Sequence, residues 1–171
     1  MVWYFAYGSN MESATLRGRR GVQYHRALPG RAHGWRLVLD KPGLFPTGNS
    51  FANIIPDVVS SVWGVLYQID EADLGHIDLT EGVLISNYLR VEIPVQPPRP
   101  DPALNAFTLT SERRDPSLQP STRYMGLLIS GAEEHGLPAD YVAFLRRIPA
   151  RPESAETAQL RPFIDEALRR R

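Results

Sequence analysis

Glu81 stands where a short helical segment gives way to Gly82 and then to a strand. A carboxyl shielded from water holds its proton to higher pH than an exposed one, and can exchange it near neutrality. Position alone leaves a plainer account open, an exposed glutamate at a helix end, because most glutamates are solvated. Tyr7-Gly8-Ser9-Asn10 closes an apolar strand and opens a helical turn. A strand, a glycine turn and a helix start gather main-chain N–H groups into a site for a carboxylate or phosphate. Gly8 lets such a ligand approach the backbone. The same four residues also read as an ordinary strand-to-helix turn capped by Asn10. Ser9 lacks the Gly-x-Ser-x-Gly setting of a hydrolase nucleophile. Tyr88 lies on the strand face opposite an apolar stripe, within reach of a ligand or of Glu81, or simply covering the sheet. Tyr124, in the first turn of a late helix, carries the same two readings.

These residues need elements to position them. Residues 2–7 are aromatic and β-branched and read as a buried strand. A short helix follows over 11–17, and a charged, glycine-broken exit over 17–21. Residues 35–40 alternate as a strand, 41–49 read as a loop, and 51–55 and 61–69 as two strands joined by a turn at Pro56-Asp57. Asp70 is placed to cap a helix over 71–79, with 87–95 the next strand. The proline-rich stretch 96–102 is a surface excursion, 106–110 a short strand and 111–119 a polar loop. The last third is helical: 122–135 with Gly136 at its stop, a second helix from Pro138 to about 148, and a last one from Ser154 interrupted or kinked at Pro162. Strands first and helices last make an α+β chain with a mixed or antiparallel sheet, closing as a small barrel. Neither Gly-x-Gly-x-x-Gly nor a phosphate-binding Walker loop is present, which disfavours a dinucleotide fold.

Composition removes other chemistries. The 171 residues suit one domain over 1–171, its tail from about 150 helical. There is no cysteine, so disulfide frameworks, thiolate metal sites and cysteine nucleophiles are excluded. The formal net charge of zero argues against a broad grip on nucleic acid, although Arg17 to Arg20 and Arg169 to Arg171 keep a basic binding module as a competing reading. No apolar run approaches a membrane span, and no basic segment precedes a long apolar stretch; the cytoplasm is the expected compartment. His25, His33, His76 and His135 lack metal spacing, and Asp70, Glu71, Asp73 and Asp78 read as a solvated helix face. No metal site is expected.

Several segments together resemble the gamma-glutamylcyclotransferase family. They are Tyr4-Phe5-Ala6-Tyr7-Gly8-Ser9-Asn10; Val62-Trp63-Gly64-Val65 followed by the short helix and Glu81-Gly82-Val83; and Pro120-Ser121 with Tyr124, then Gly131-Ala132, Gly136-Leu137-Pro138 and Tyr141. The resemblance runs from residue 4 to about 149. It implies a small mixed β-barrel with flanking helices and a pocket between the Tyr-Gly-Ser-Asn loop and a catalytic glutamate. Carried over by position, Tyr7, Gly8, Ser9 and Asn10 would hold a gamma-glutamyl group through main-chain atoms. Glu81 would be the acid/base, and Tyr88 and Tyr124 would line the pocket. Such an enzyme needs no metal or organic cofactor. Its partners would be a small gamma-glutamyl substrate and, as an open expectation, a second copy of the chain. Asn10 at the fourth motif position looks like the branch acting on gamma-glutamyl amino acids. A gamma-glutamyl group on a biosynthetic amine or glutathione remains the alternative.

Overall fold

The structure, a computed structural model, describes residues 1–44, 48–98 and 101–168. Arg169, Arg170 and Arg171, and parts of the 41–49 loop and the 96–102 excursion, lie outside the described residues.

Five strands form one sheet in the order β2-β3-β1-β5-β4. β1 (Val2–Ala6) is central. It pairs antiparallel with β3, Val2 opposite Ile69, and parallel with β5, Tyr4 opposite Phe107. Its aromatic and β-branched residues suit a strand buried between neighbours. β2 (Tyr24–Pro42) and β3 (Ser50–Ile69) form a long antiparallel pair, and β4 (Leu89–Val95) pairs with β5 (Leu104–Thr110).

β2 and β3 are much longer than their alternation predicts. Register shifts between Tyr24 and Arg26, His33 and Trp35, and Val38 and Lys41 break the period of two while the ladder continues. Pro56-Asp57, expected as a turn, lies inside β3 beside one of these irregularities. The expected barrel is a curled sheet that does not close. Its two edges touch at one bridge, where Arg31 and Gln96 exchange main-chain hydrogen bonds of 2.8 and 2.9 Å.

The helices pack where they steady the end of β1. The expected helix over 11–17 is instead a 3-10 turn, Ser9–Met11, and a wide turn, Thr15–Arg19. α1 (Glu71–Glu81) ends at Gly82, whose φ of 73° only glycine adopts freely. α2 (Thr122–Glu134) starts at Ser121, whose hydroxyl accepts from the Tyr124 N–H at 3.1 Å. α3 (Ala139–Arg147) follows, and α4 (Ala155–Leu168) runs through Pro162 as one helix. Gly131 lets α2 lie against the 3-10 turn: a Cβ there would meet the Glu12 nitrogen at 2.5 Å. Phe5, Leu66, Tyr67, Ile69, Leu128 and Leu145 make the centre of the core.

Two capping expectations are corrected. Asp70 does not cap α1 with its side chain; its carboxylate faces His25. Asn10 caps nothing and is buried within the 3-10 turn. The acidic face of α1 is less solvated than its composition suggests, since Asp73 is buried and Asp78 pairs with Arg90 at 2.5 Å.

Candidate active site

The turn after β1 and the end of α1 face the same cavity, about 250 Å³ in volume. All seven residues singled out above line it: Tyr7, Gly8, Ser9, Asn10, Glu81, Tyr88 and Tyr124. Glu81 is the last residue of α1, so the αL turn at Gly82 sets where its side chain goes. The chain then loops through a second left-handed residue, Ser86, with φ of 54°. The Asn87 N–H returns to Gly82 O at 3.0 Å, which brings Tyr88 beside Glu81's side of the cavity.

The Glu81 carboxylate is held on one oxygen. Oε1 accepts from Arg20 Nη2 at 2.7 Å and from Asn10 Nδ2 at 3.1 Å. Asn10 Nδ2 also donates to the Tyr4 hydroxyl at 3.0 Å, and Arg20 Nε lies 3.5 Å from Asn10 Oδ1. Oε2 has no hydrogen bond among the described residues. The Arg20 and Glu81 side chains are only 9% and 14% exposed, so water screens the pair little. Asn87 Nδ2 donates to the Glu81 carbonyl at 2.8 Å and fixes its main chain.

The 3-10 turn offers donors to the cavity. Among the described residues, none of the N–H groups of Gly8, Ser9 and Asn10 donates to a main-chain carbonyl. These are the donors that the start of a helical turn leaves over. The Ser9 main chain also bonds the Tyr124 hydroxyl. Gly8 leaves room for that hydroxyl, which would lie 3.1 Å from any Cβ placed there.

The tyrosines build walls. Tyr7 donates to Leu109 O at 2.5 Å, and Tyr88 to Ala52 O at 2.9 Å, not to Glu81. The Tyr124 hydroxyl accepts from Ala52 N–H at 3.0 Å. Burial pushes the phenols of Tyr4, Tyr7 and Tyr88 up and Tyr124 to about 12; the Glu81 charge adds to the rise in each. All four keep their protons at neutral pH and so do not act as bases.

Other cavity residues had no visible signal in the sequence. Arg20 reads there as one of several arginines in a charged exit, and Lys41 as the start of a loop. Tyr4 opens the first family segment but reads there as a strand residue, and Asn87 and Ala52 carry no motif that separates them from core residues. α4 also contributes, with Thr157, Arg161 and Ile164 lining the cavity. Among the described residues, no helix is long and apolar enough to cross a membrane.

Comparisons with known proteins bear on family and fold. Residues 61–145 match the model of the AIG2-like family. Gamma-glutamyl cyclotransferase aclK of Aspergillus oryzae is 34% identical over 166 residues, spanning 85% of this chain and 60% of its own length. The gamma-glutamylcyclotransferase of Bos taurus is 29% identical over 151 residues, spanning 85% of this chain and 77% of its own. This chain thus spans less than two thirds of the Aspergillus protein. A solved gamma-glutamyl cyclotransferase superposes with a TM-score of 0.78 at 23% identity, covering 96% of this chain and 98% of that one, and shares the fold. Sequence and fold point the same way: the chain is similar to gamma-glutamylcyclotransferases over most of its length and shares their fold.

Proposed function

We propose that the protein is a gamma-glutamylcyclotransferase in which Glu81 is the acid/base and the Gly8–Ser9–Asn10 turn holds the gamma-glutamyl group. The observation that carries this is the 3.1 Å contact between Asn10 Nδ2 and Glu81 Oε1 across a shared cavity. It brings the Glu81 carboxyl beside a turn whose main-chain donors suit a carboxylate.

The substrate brings its own nucleophile. Its alpha-amine lies one five-membered ring from its gamma-carbonyl, so folding the glutamyl chain in the cavity makes attack unimolecular. The amine nitrogen bonds to the carbon of the gamma-carbonyl and loses a proton to Glu81 Oε2. The carbon–nitrogen bond to the leaving group then breaks, and Glu81 returns the proton to the departing amine. 5-Oxoproline and a free amine or amino acid result, with atoms and charge balanced. Arg20 and Asn10 fix Oε1, which leaves Oε2 for the shuttle. The phenols that line the cavity hold their protons too firmly to take this role. The Asn10 form of the motif favours an amino acid as the leaving group.

The test is 5-oxoproline release from gamma-glutamyl-alanine by a folded Glu81→Gln variant. Undiminished release removes Glu81 from the mechanism. A panel of gamma-glutamyl amino acids, gamma-glutamyl amines and glutathione then sorts the leaving group.

A further inference from the structure

Lys41 is the single lysine of the chain, and its side chain is 1% exposed. It sits near the end of β2 and lines the cavity with Asn87 and Tyr88. Its Nζ donates to Pro42 O at 2.8 Å and to Asn87 Oδ1 at 2.9 Å, and lies 4.3 Å from the centre of the Tyr88 ring. The same Asn87 Oδ1 accepts from Arg113 Nη1 at 2.6 Å. Two cations therefore converge on one neutral amide oxygen.

Neither cation has a carboxylate within ion-pair distance among the described residues. Arg20 has Glu81; Asp40, next to Lys41 in the chain, is taken by Arg114 at 2.5 Å. A buried cation without an anion is costly to the fold. Burial, and then the Arg113 charge, push Lys41 down to about 8, while Glu81 pulls it up. An ammonium carries three donors, and the protein engages two. What this corner of the cavity lacks is an anion.

We infer that Lys41, backed by Arg113 through Asn87, is a carboxylate subsite that takes the carboxylate of the departing amino acid. The inference rests on the gamma-glutamyl reading above, which assigns the glutamyl carboxylate to the main-chain donors of residues 8–10. A second, separate cationic corner fits a second carboxylate. Its placement suits the leaving group, because Asn87 joins Lys41 to the main chain of the residue that must protonate the departing amine. In an alpha-amino acid the carboxylate stands two bonds from that nitrogen. Lys41 thereby selects gamma-glutamyl conjugates of amino acids over those of simple amines.

The test compares gamma-glutamyl-alanine with gamma-glutamyl-ethylamide, which lacks the second carboxylate. Lys41→Met keeps the length and apolar stem of the side chain and removes its charge. The expected result is a KM for the dipeptide raised about 10- to 100-fold, the scale of one charge-assisted hydrogen bond, with both kcat values and the ethylamide KM nearly unchanged. Equal losses on both substrates, or none on either, overturn the subsite.

If Lys41→Met does not fold, the native protein decides alone. The ratio of kcat/KM for dipeptide to that for ethylamide should fall as pH rises through about 8. The substrate alpha-amine and Glu81 are common to both reactions and cancel in the ratio. The groups facing Lys41 are Arg113 after β5, Glu81 on α1 and Tyr88 before β4. A flat ratio overturns the subsite. Calorimetric titration of both compounds into Glu81→Gln separates binding from turnover. A preference for the dipeptide that Lys41→Met abolishes supports the subsite even if no 5-oxoproline forms. Normal turnover in the native protein without any preference overturns the subsite and leaves the cyclisation reading intact.

Discussion

The 3-10 turn after β1 is gripped from two sides by polar clusters of opposite character. On one side Asn10 joins Arg20, Tyr4 and Glu81 in the cavity wall. On the other, Met11 O accepts from the Tyr67 hydroxyl at 2.6 Å, and that hydroxyl also meets His135 Nε2 at 2.8 Å. Ser13 completes this second cluster, with its Oγ 2.9 Å from the Tyr24 hydroxyl and its N–H donating to Glu134 at 3.0 Å. The second cluster ties the turn to β3 and to the end of α2. The first leaves one carboxylate oxygen without a hydrogen bond among the described residues, and turn N–H groups without main-chain acceptors. A rigid, saturated clamp behind the turn lets an unsaturated face in front of it stay in place, at the stability cost that functional sites carry.

Substitutions on the two faces should separate activity from stability. The largest effect is expected at Glu81→Gln, which keeps the size and one acceptor. Its kcat for 5-oxoproline release should fall about 10²- to 10⁴-fold, the usual worth of a positioned proton transfer, and the thermal midpoint should also drop, because the buried Arg20 charge loses its carboxylate. Gly131→Ala strikes the clamp, because the new Cβ would press on the Glu12 nitrogen. Overpacking of this kind costs about 1–3 kcal/mol, so calorimetry should show a lower midpoint, with kcat falling as the turn shifts. Tyr67→Phe strands the buried Met11 carbonyl, and should cost about 1–3 kcal/mol in chemical denaturation with kcat far less affected than in Glu81→Gln.

The mildest test is pH. Burial holds the His135 imidazole below its ordinary value of 6.5, so the unfolded chain takes the proton first. Its contribution is fully present above pH 6.5 and is lost as pH falls from there through the lower folded value. Unfolding midpoints measured from pH 8 to 5 should decline in the acid range, and less steeply in His135→Gln. A native protein whose midpoint is flat over that range would remove His135 from the clamp.

Much of the cavity was legible before any coordinates. The turn of residues 7–10, Glu81, Tyr88 and Tyr124 converge as their motifs imply, because a strand end and two helix ends carry short, local signatures. The residues that complete the site have none. Nothing local distinguishes Arg20, which turns inward, from Arg17, which lies over the Tyr24 ring. Lys41 reads as a loop residue because the irregularity after Val38 interrupts the alternation that would have extended β2. Asn10 has the chemistry of a cap and is used instead as a bridge, a choice made by nearby Tyr4 and Arg20 together with Glu81, 71 residues along the chain. The length of β2 and β3 was hidden for the same reason as Lys41: bulges break periodicity without breaking pairing.

The central place of β1 bears on how the molecule must assemble. Its hydrogen-bonded neighbours come from around residues 65–69 and from Phe107, so the strand that delivers the turn waits on segments far along the chain. Helices with local contacts form sooner than such distant pairings. In a refolding experiment, catalytic competence should therefore be regained late, lagging behind the recovery of helical signal, and fragments lacking β5 should show none.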